Sequence, residues 1–490
     1  MALQSGKIYL DSAGLTLLDS AEGIYNITTT PTATITLQHD SDYALAGARS
    51  GRYTYLNNPL NGGARTTGGT LGDKSSATVW DNPYEDKHGF PDSKTLAVGN
   101  NLVAVRRNGA VDIYTIKGDL VKTIYARKGT VLDNPQTAYG AKLDYNWGKS
   151  IAVGCGKVLI CVPYENATNS NGSVILNDLN GDPISPIPYN SAGYDVSDYR
   201  TRWWRPGPFT GRGQTATGLG LSSAIGENRV VVGSPYDHKL PLDNYSASSQ
   251  TKFDGAGAIH IYDLEMNNIR TVPNPDPSSE SDPGDHFGFA VAIGDGRIVV
   301  GAPNYNTNGS DPKGAVFILD LDGSLIKKII NPISGDTGGN FGNSVAVGSG
   351  RVVVGNYMSS SVYAYDLNGN LIASESYPGT YRGFSVAAGD GRILSSSKYE
   401  NADSSAENGS VRVFDTNLNL ITTIQPPVDI VDSDRFGETI AMDNGIIAIS
   451  APGKDTASST DAGKIYLYST TKQPSAIFWN KGFEHHADSI

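Results

Sequence analysis

FGFAVAIGDGRIVVGAP (residues 287–303), followed after a polar interval by GAVFILDLDGSL (314–325), decides how this chain folds. In the first half Phe287, Phe289, Val291 and Ile293 alternate with Gly288, Ala290, Ala292 and Gly294, the period-two pattern of a strand with one large and one small face. Small residues suit an innermost strand, where tapering sheets crowd a common axis. Arg297 to Val300 reads as a second strand, ended at Gly301-Ala302-Pro303 because proline has no N–H to give to a ladder. Ala315 to Leu319 reads as a third, and a fourth starts near Leu325. Asp295-Gly296 and Asp322-Gly323 fall where hairpin turns must lie, and such pairs tolerate positive φ. Two hairpins make one four-stranded antiparallel sheet.

Seven copies of the unit can be laid over one another. With Gly294 as the ruler, the equivalents are Gly99, Gly154, Gly226, Gly348, Gly389 and Asp443; the six steps from first to last average about 57 residues and range from 41 to 72. That period is near the size of a propeller blade and too variable for a solenoid. The first hairpin turn recurs as Asn100-Asn101, Cys155-Gly156, Glu227-Asn228, Ser349-Gly350, Asp390-Gly391 and Asn444-Gly445, and the second as Asn180-Gly181 and Asn368-Gly369. The predicted fold is all-β: a seven-bladed β-propeller of four-stranded antiparallel blades, with an N-terminal β-containing arm.

Up-and-down blades put all tight turns on one face of the disc and the remaining connections on the other. The long loops 164–171, 184–217, 236–254, 270–286, 304–313 and 398–408 all belong to the second set, so one face is smooth and the other elaborated. Recognition usually resides in long loops on a rigid scaffold.

Phe-Gly at 287–288, 341–342 and 436–437, with Gly-Ala-Pro at 301–303 and Ser-Ala-Pro at 450–452, resembles the FG-GAP repeat of integrin alpha-chain propellers and its bacterial and viral relatives. The likeness covers about residues 90–470; Arg382, Leu219 and Asp92 stand at the Phe position in the sixth, third and first copies. Integrin-like repeats often carry calcium on a loop between the first two strands. Here that loop has shrunk to two residues, too few for six or more oxygen ligands. The resemblance therefore does not bring its metal with it. Asp320-Leu-Asp-Gly323 and Asp178-Leu-Asn-Gly181 look like the start of a calcium loop, but no acidic residue closes them, and they read as hairpin turns.

A formal net charge of −12 and the lack of a dense Lys/Arg cluster disfavour nucleic acid as a partner. No window approaches a membrane span, and the N-terminus has no basic region followed by an apolar run, so a soluble product made in a cytoplasm is expected. Cys155 and Cys161 flank a predicted turn out of register with each other and read as free thiols, one buried.

Acid–base or nucleophilic chemistry needs convergent groups, and histidines 39, 88, 238, 260, 286, 485 and 486 show no ligand spacing. No catalytic residue, cofactor or metal is assigned, and the chain is not expected to be an enzyme. Asp276, Glu280, Asp282 and Asp285 could gather a cation but read as solvated loop residues. The candidate interaction residues are Trp203, Trp204 and Arg205, types enriched at interface hot spots, with Tyr236, Tyr245 and Tyr305 in other loops, which could also stack on sugar rings.

Residues 1–85 read as an N-terminal attachment arm, 86–470 as the propeller and 471–490 as a tail. Within the arm, GKIYLDSAGLTLL (6–18) copies a third-to-fourth-strand hairpin and matches GKIYLYS at 463–469; completing a blade, pairing with a neighbouring subunit and coincidence are all open. Few charges and a Tyr/Asn/Thr/Ser/Gly-rich β surface look most like a tailed-bacteriophage structural protein of tail or capsid, made in the host cytoplasm and found in the virion. Its expected partners are other virion proteins or copies of itself, with host receptor or glycan beside them. An extracellular or cell-surface adhesion module is the first alternative; a propeller lyase or hydrolase is the second.

Overall fold

The computed structural model describes residues 95–107, 110–125, 148–163, 173–185, 218–237, 256–278, 284–306, 313–333, 340–377, 382–397, 409–431, 434–454 and 463–472, preceded by 30–36 and the short strands Leu3–Gln4, Lys7–Tyr9, Leu17–Leu18 and Tyr25–Ile27. Seven antiparallel sheets follow one another, six of them four-stranded meanders and the seventh built of Ile440–Asp443, Ile446–Ala451 and Lys464–Lys472, with Tyr25–Ile27 and Ala33–Thr36 both paired to its last strand. The first six occupy residues 96–125, 150–185, 223–273, 290–330, 344–376 and 386–424. No helix among the described residues is long and apolar enough to cross a membrane.

All seven first turns are two-residue turns with positive φ at both positions, such as Asp295 (49°) and Gly296 (71°) between the paired Gly294 and Arg297. The second turns differ from expectation. Asp320 pairs with Ser324 around three residues, only Gly323 of them at positive φ (81°), and the ladder shifts register between Ile318 and Leu319. The extra residue needs a cap, which Asp320 supplies by accepting from the Asp322 and Ser324 amides at 3.0 and 2.8 Å. The inner strand also starts later than the alternation implied, at Ala290 rather than Phe287. Gly288, at φ 94°, turns the chain, so Phe287 and Phe289 are not strand neighbours of Val291.

What Phe287-Gly288 does instead is join blades. Phe287 forms a parallel bridge to Gly257 of blade three, and Phe341 one to Gly314 of blade four. Each Phe ring is fully buried and meets an aromatic of its own blade edge-on: Phe287 with Phe317 at 5.1 Å, Phe341 with Tyr363 at 5.4 Å, Phe436 with Tyr466 at 5.6 Å. Gly301 of the Gly-Ala-Pro segment lies against the next blade's Phe-Gly, where an added Cβ would stand 1.9 Å from the Gly342 carbonyl oxygen. Arg382 takes the Phe position in blade six and is also fully buried; its guanidinium donates to the Ser395 carbonyl at 3.0 Å and to Ser410 Oγ at 3.1 Å. Burial and the neighbouring Arg412 push its pKa down to about 9, which leaves it charged at neutral pH.

Each hydrophobic cluster spans two adjacent sheets. Val231, Ile259 and Ile261 of blade three, for example, pack with Val300 and Phe317 of blade four. The cluster that closes the ring joins Ala448, Ile465 and Leu467 of blade seven to Leu96, Val103 and Val105 of blade one, and includes Ile35. Ala33–Thr36 pairs antiparallel with Lys464–Leu467, so blade seven draws its outer strand from within the segment 1–85 that the sequence reading set apart as an arm. Gly118 in a blade-one turn sits over Thr34 as Gly181 of blade two sits over Lys122 and Ile124, the same seating of turn on outer strand. Lys7–Tyr9 belongs to a separate three-stranded sheet with Leu3–Gln4 and Leu17–Leu18, so the described strands within residues 6–18 pair with each other and not with blade seven. Cys161 is a buried free thiol whose pKa burial raises to about 12, and Cys155 sits half-buried in its turn.

Candidate functional site

The smooth face is sealed by side chains that the sequence reading valued only for their φ tolerance. In six of the seven blades, all but blade two with Cys155, the first residue of the first turn reaches round the ring to the next blade. Asn100 accepts from the Gly156 amide (3.1 Å), Glu227 from Gly296 (3.3 Å), Asp295 from Gly350 (2.7 Å), Ser349 from Gly391 (2.8 Å) and Asp390 from Gly445 (2.7 Å). Asn444 links blade seven to blade one by donating to Asn101 Oδ1 at 2.9 Å. Farther out, Arg297 donates to the Leu367 carbonyl and Arg351 to Thr416, each gripping the next blade's second turn. An acceptor ahead of the turn glycine was the available signal; its second role needs the neighbouring blade to be in place.

The second turns are capped in the same way in successive blades. Asp178, Asp263, Asp366 and Asp415 each accept from the amides two and four residues on, so the carboxylates that resembled calcium-loop starts are engaged by their own turns. In Asp366 the Asn370 bonds hold the carboxyl below the usual carboxylate range. A depressed folded-state pKa contributes stability that is complete above the unfolded pKa of about 4 and is lost as pH falls through the folded value. Protection of the Asn368 and Asn370 amides, relative to their intrinsic exchange at each pH, is therefore expected to fall below about pH 4. Asp366→Asn should keep slow exchange without that acid dependence, whereas Asp366→Ala should exchange quickly at every pH.

The elaborated face is best described between blades three and four. Tyr236, just past the second strand of blade three, is half-buried and meets the His286 ring edge-on at 4.9 Å; burial raises its pKa. His286 Nδ1 is 2.9 Å from Asn304 Nδ2 of blade four, so one histidine ties two blades' loops together. Asp285 is buried and accepts from Asn274 Nδ2 (2.8 Å), the Ser278 amide (2.9 Å) and Ser278 Oγ, which closes the loop onto itself. Behind this row His260 Nδ1 lies 3.0 Å from Thr271 Oγ1 and Nε2 lies 4.0 Å from Asp237.

Tyr305 is only 4% exposed, its ring edge-on to Phe317 at 6.1 Å and its hydroxyl accepting from Lys328 Nζ at 2.8 Å. Its surface is taken up in anchoring the loop. Lys328 also bonds Asp276; burial works against its charge, but the Asp276 and Tyr305 bonds outweigh that and raise its pKa. Lys328→Met should loosen residues 274–278 and cost about 1 kcal/mol, no more, because Asp276 is half exposed to screening solvent. Limited proteolysis across that loop and a denaturant midpoint check it.

Of the six candidate interaction residues, the structure thus brings Tyr236 and Tyr305 to neighbouring loops of one face. Trp203, Trp204, Arg205 and Tyr245 lie outside the described residues, as do Glu280 and Asp282 of the acidic loop. The network sets the mouths from which the long connections leave.

Comparison with known families agrees with this geometry. Residues 278–319 and 426–468 match the FG-GAP repeat, which places the match on blades four and seven with the Phe-Gly segment that enters each. No curated protein matches the chain significantly.

Proposed function

We propose that this FG-GAP propeller is a non-enzymatic structural and binding component of a tailed-bacteriophage particle, which presents its long connections to a neighbouring virion protein, a host receptor or a glycan. The observation that carries the binding half is the asymmetry of the disc. One face is closed by turns bonded blade to blade, while the connections of variable length leave from the other over a row of anchored side chains. A rigid ring with adaptable loops on one side suits recognition. The particle half rests on composition, with 26 Tyr against 12 Phe, 57 Gly and only 18% charged residues on a β scaffold; fold alone does not fix function.

Quantitative mass spectrometry of purified particles tests the particle assignment, with many copies per particle expected. Absence from particles together with recovery from the bacterial surface would instead favour the adhesion reading. For the binding half, the intact chain on a glycan or receptor array should lose its signal when Trp203 and Trp204 are replaced by alanine. It should keep the signal when the smooth-face Asp295 is replaced.

A further inference from the structure

The outer strand of blade seven is supplied by Ala33–Thr36, and among the described residues its one partner strand is Lys464–Lys472, on its inner side. The pairs are Thr36 with Lys464, Ile35 with Ile465, Thr34 with Tyr466 and Ala33 with Leu467. The partner's sequence, Gly-Lys-Ile-Tyr-Leu at 463–467, recurs without change at 6–10. We infer that the open outer edge of Ala33–Thr36 receives the Lys7–Tyr9 strand of a second copy of this chain, in the register already used on the inner edge.

Side chains in an antiparallel sheet alternate between faces whichever edge is paired. A strand added outside in the same register would set Lys7 beside Thr36, Ile8 beside Ile35 and Tyr9 beside Thr34. Ile8 would then extend the face on which Ile35 is buried against blade one. The two copies of the segment part at the sixth residue, where Asp11 stands for Tyr468. Tyr468 is fully buried, so Asp11 in that inner slot would bury an unpaired carboxylate. On the outer edge Asp11 would fall next to Thr32, which is exposed. The substitution bars the N-terminal copy from replacing the C-terminal one and leaves it fit for addition.

A second copy is the occupant because, among the described residues, Lys7–Tyr9 of the same chain pairs elsewhere. Here Lys7–Tyr9 is matched at only two positions each with Leu3–Gln4 and Leu17–Leu18, a ladder short enough to exchange for a longer one. Each copy carries both a donor strand and an acceptor edge, so the same contact serves a reciprocal dimer and a head-to-tail chain alike. It does not depend on the particle assignment and can fail or succeed apart from it.

The test uses full-length chains in a Cys155→Ser background, which removes the half-exposed thiol. Lys7→Cys and Thr36→Cys would be directly opposed, and Cα atoms at about 4.5–5.5 Å in such pairs suit a disulfide. Mixing the two single variants under mild oxidation should give a linked dimer that neither gives alone. Tyr9→Cys should link to Thr34→Cys and not to Thr36→Cys. A link found only within one chain carrying both substitutions would overturn the inference, as would no link at concentrations at which the unmodified chain self-associates. If light scattering finds only monomers throughout, the inference is equally overturned. Ile8→Pro should abolish association without moving the unfolding midpoint, which separates loss of the contact from loss of the fold.

Discussion

Gly301→Ala is expected to destabilise the propeller by about 3 kcal/mol, at the upper end of what overpacking a close-fitted interior costs. The added Cβ would lie 1.9 Å from the Gly342 carbonyl oxygen, and that oxygen belongs to backbone already bonded to Gly355 and held by the buried Phe341. Neither partner is the end of a flexible side chain, so relief requires that two blades move apart. Two further glycines separate the causes. Gly296 has positive φ but nothing within 4 Å, so Gly296→Ala isolates the backbone term of about 1 kcal/mol. Gly314 combines φ 82° with a Cβ position 2.3 Å from the Phe341 oxygen, and its alanine variant should cost about 4 kcal/mol from both effects. Urea midpoints at unchanged slope should rank Gly314→Ala below Gly301→Ala, and that below Gly296→Ala. Equal midpoints for Gly301→Ala and Gly296→Ala would mean that adjacent blades do not approach this closely. Blade six is a natural control: Ser396 occupies the position of Gly301 with a real Cβ, and a Cβ added to the facing Gly437 would stand 3.3 Å from it.

Such contacts show which parts of the fold could be read from the chain. Turn chemistry and period-two alternation are local, so blade count, the strand order of the first six blades and all seven two-residue turns were legible. Phe287-Gly288 was misread because Phe-Gly-Phe-Ala continues the large–small alternation; only the positive φ of Gly288 breaks the strand, at a place where an added Cβ would stand 2.4 Å from the Ala258 carbonyl oxygen. The glycines of Gly-Ala-Pro gave no hint of their neighbour, since the clash they avoid lies in the next repeat. Tyr236 and Tyr305 likewise looked equivalent, yet Lys328 claims the hydroxyl of one and His286 meets the ring of the other. Composition near a loop does not say which polar atoms the scaffold has already engaged. The outer strand of blade seven was the least legible element. Ala-Thr-Ile-Thr alternates like many short strands, and its partner lies more than 400 residues away.

Ile35→Asp should for that reason have the largest effect of any single substitution among the described residues 30–36. Ile35 is 2% exposed, opposite Ile465 in the ladder and in one cluster with Leu96, Val103, Tyr114 and Leu467. A carboxylate there has no partner and no water, so the strand would leave rather than bury it, and the cost is about the several kcal/mol of an unpaired buried charge. The loss would propagate in one direction. Blade seven would lose its fourth strand, and the blade-one residues Leu96 to Val105 would lose their cover, while blades three to five keep both neighbours. Hydrogen exchange should therefore rise sharply at 96–105 and 464–467 and stay low at 298–302 and 352–356. A synthetic peptide spanning residues 28–38 added to a chain truncated before residue 38 should restore protection at both sites, since the strand is held by pairing and packing and not by its covalent connection. Uniform exchange across all seven blades in Ile35→Asp would show that the ring unfolds as one unit. Unchanged exchange at 96–105 would show that the first and last blades meet without this strand between them.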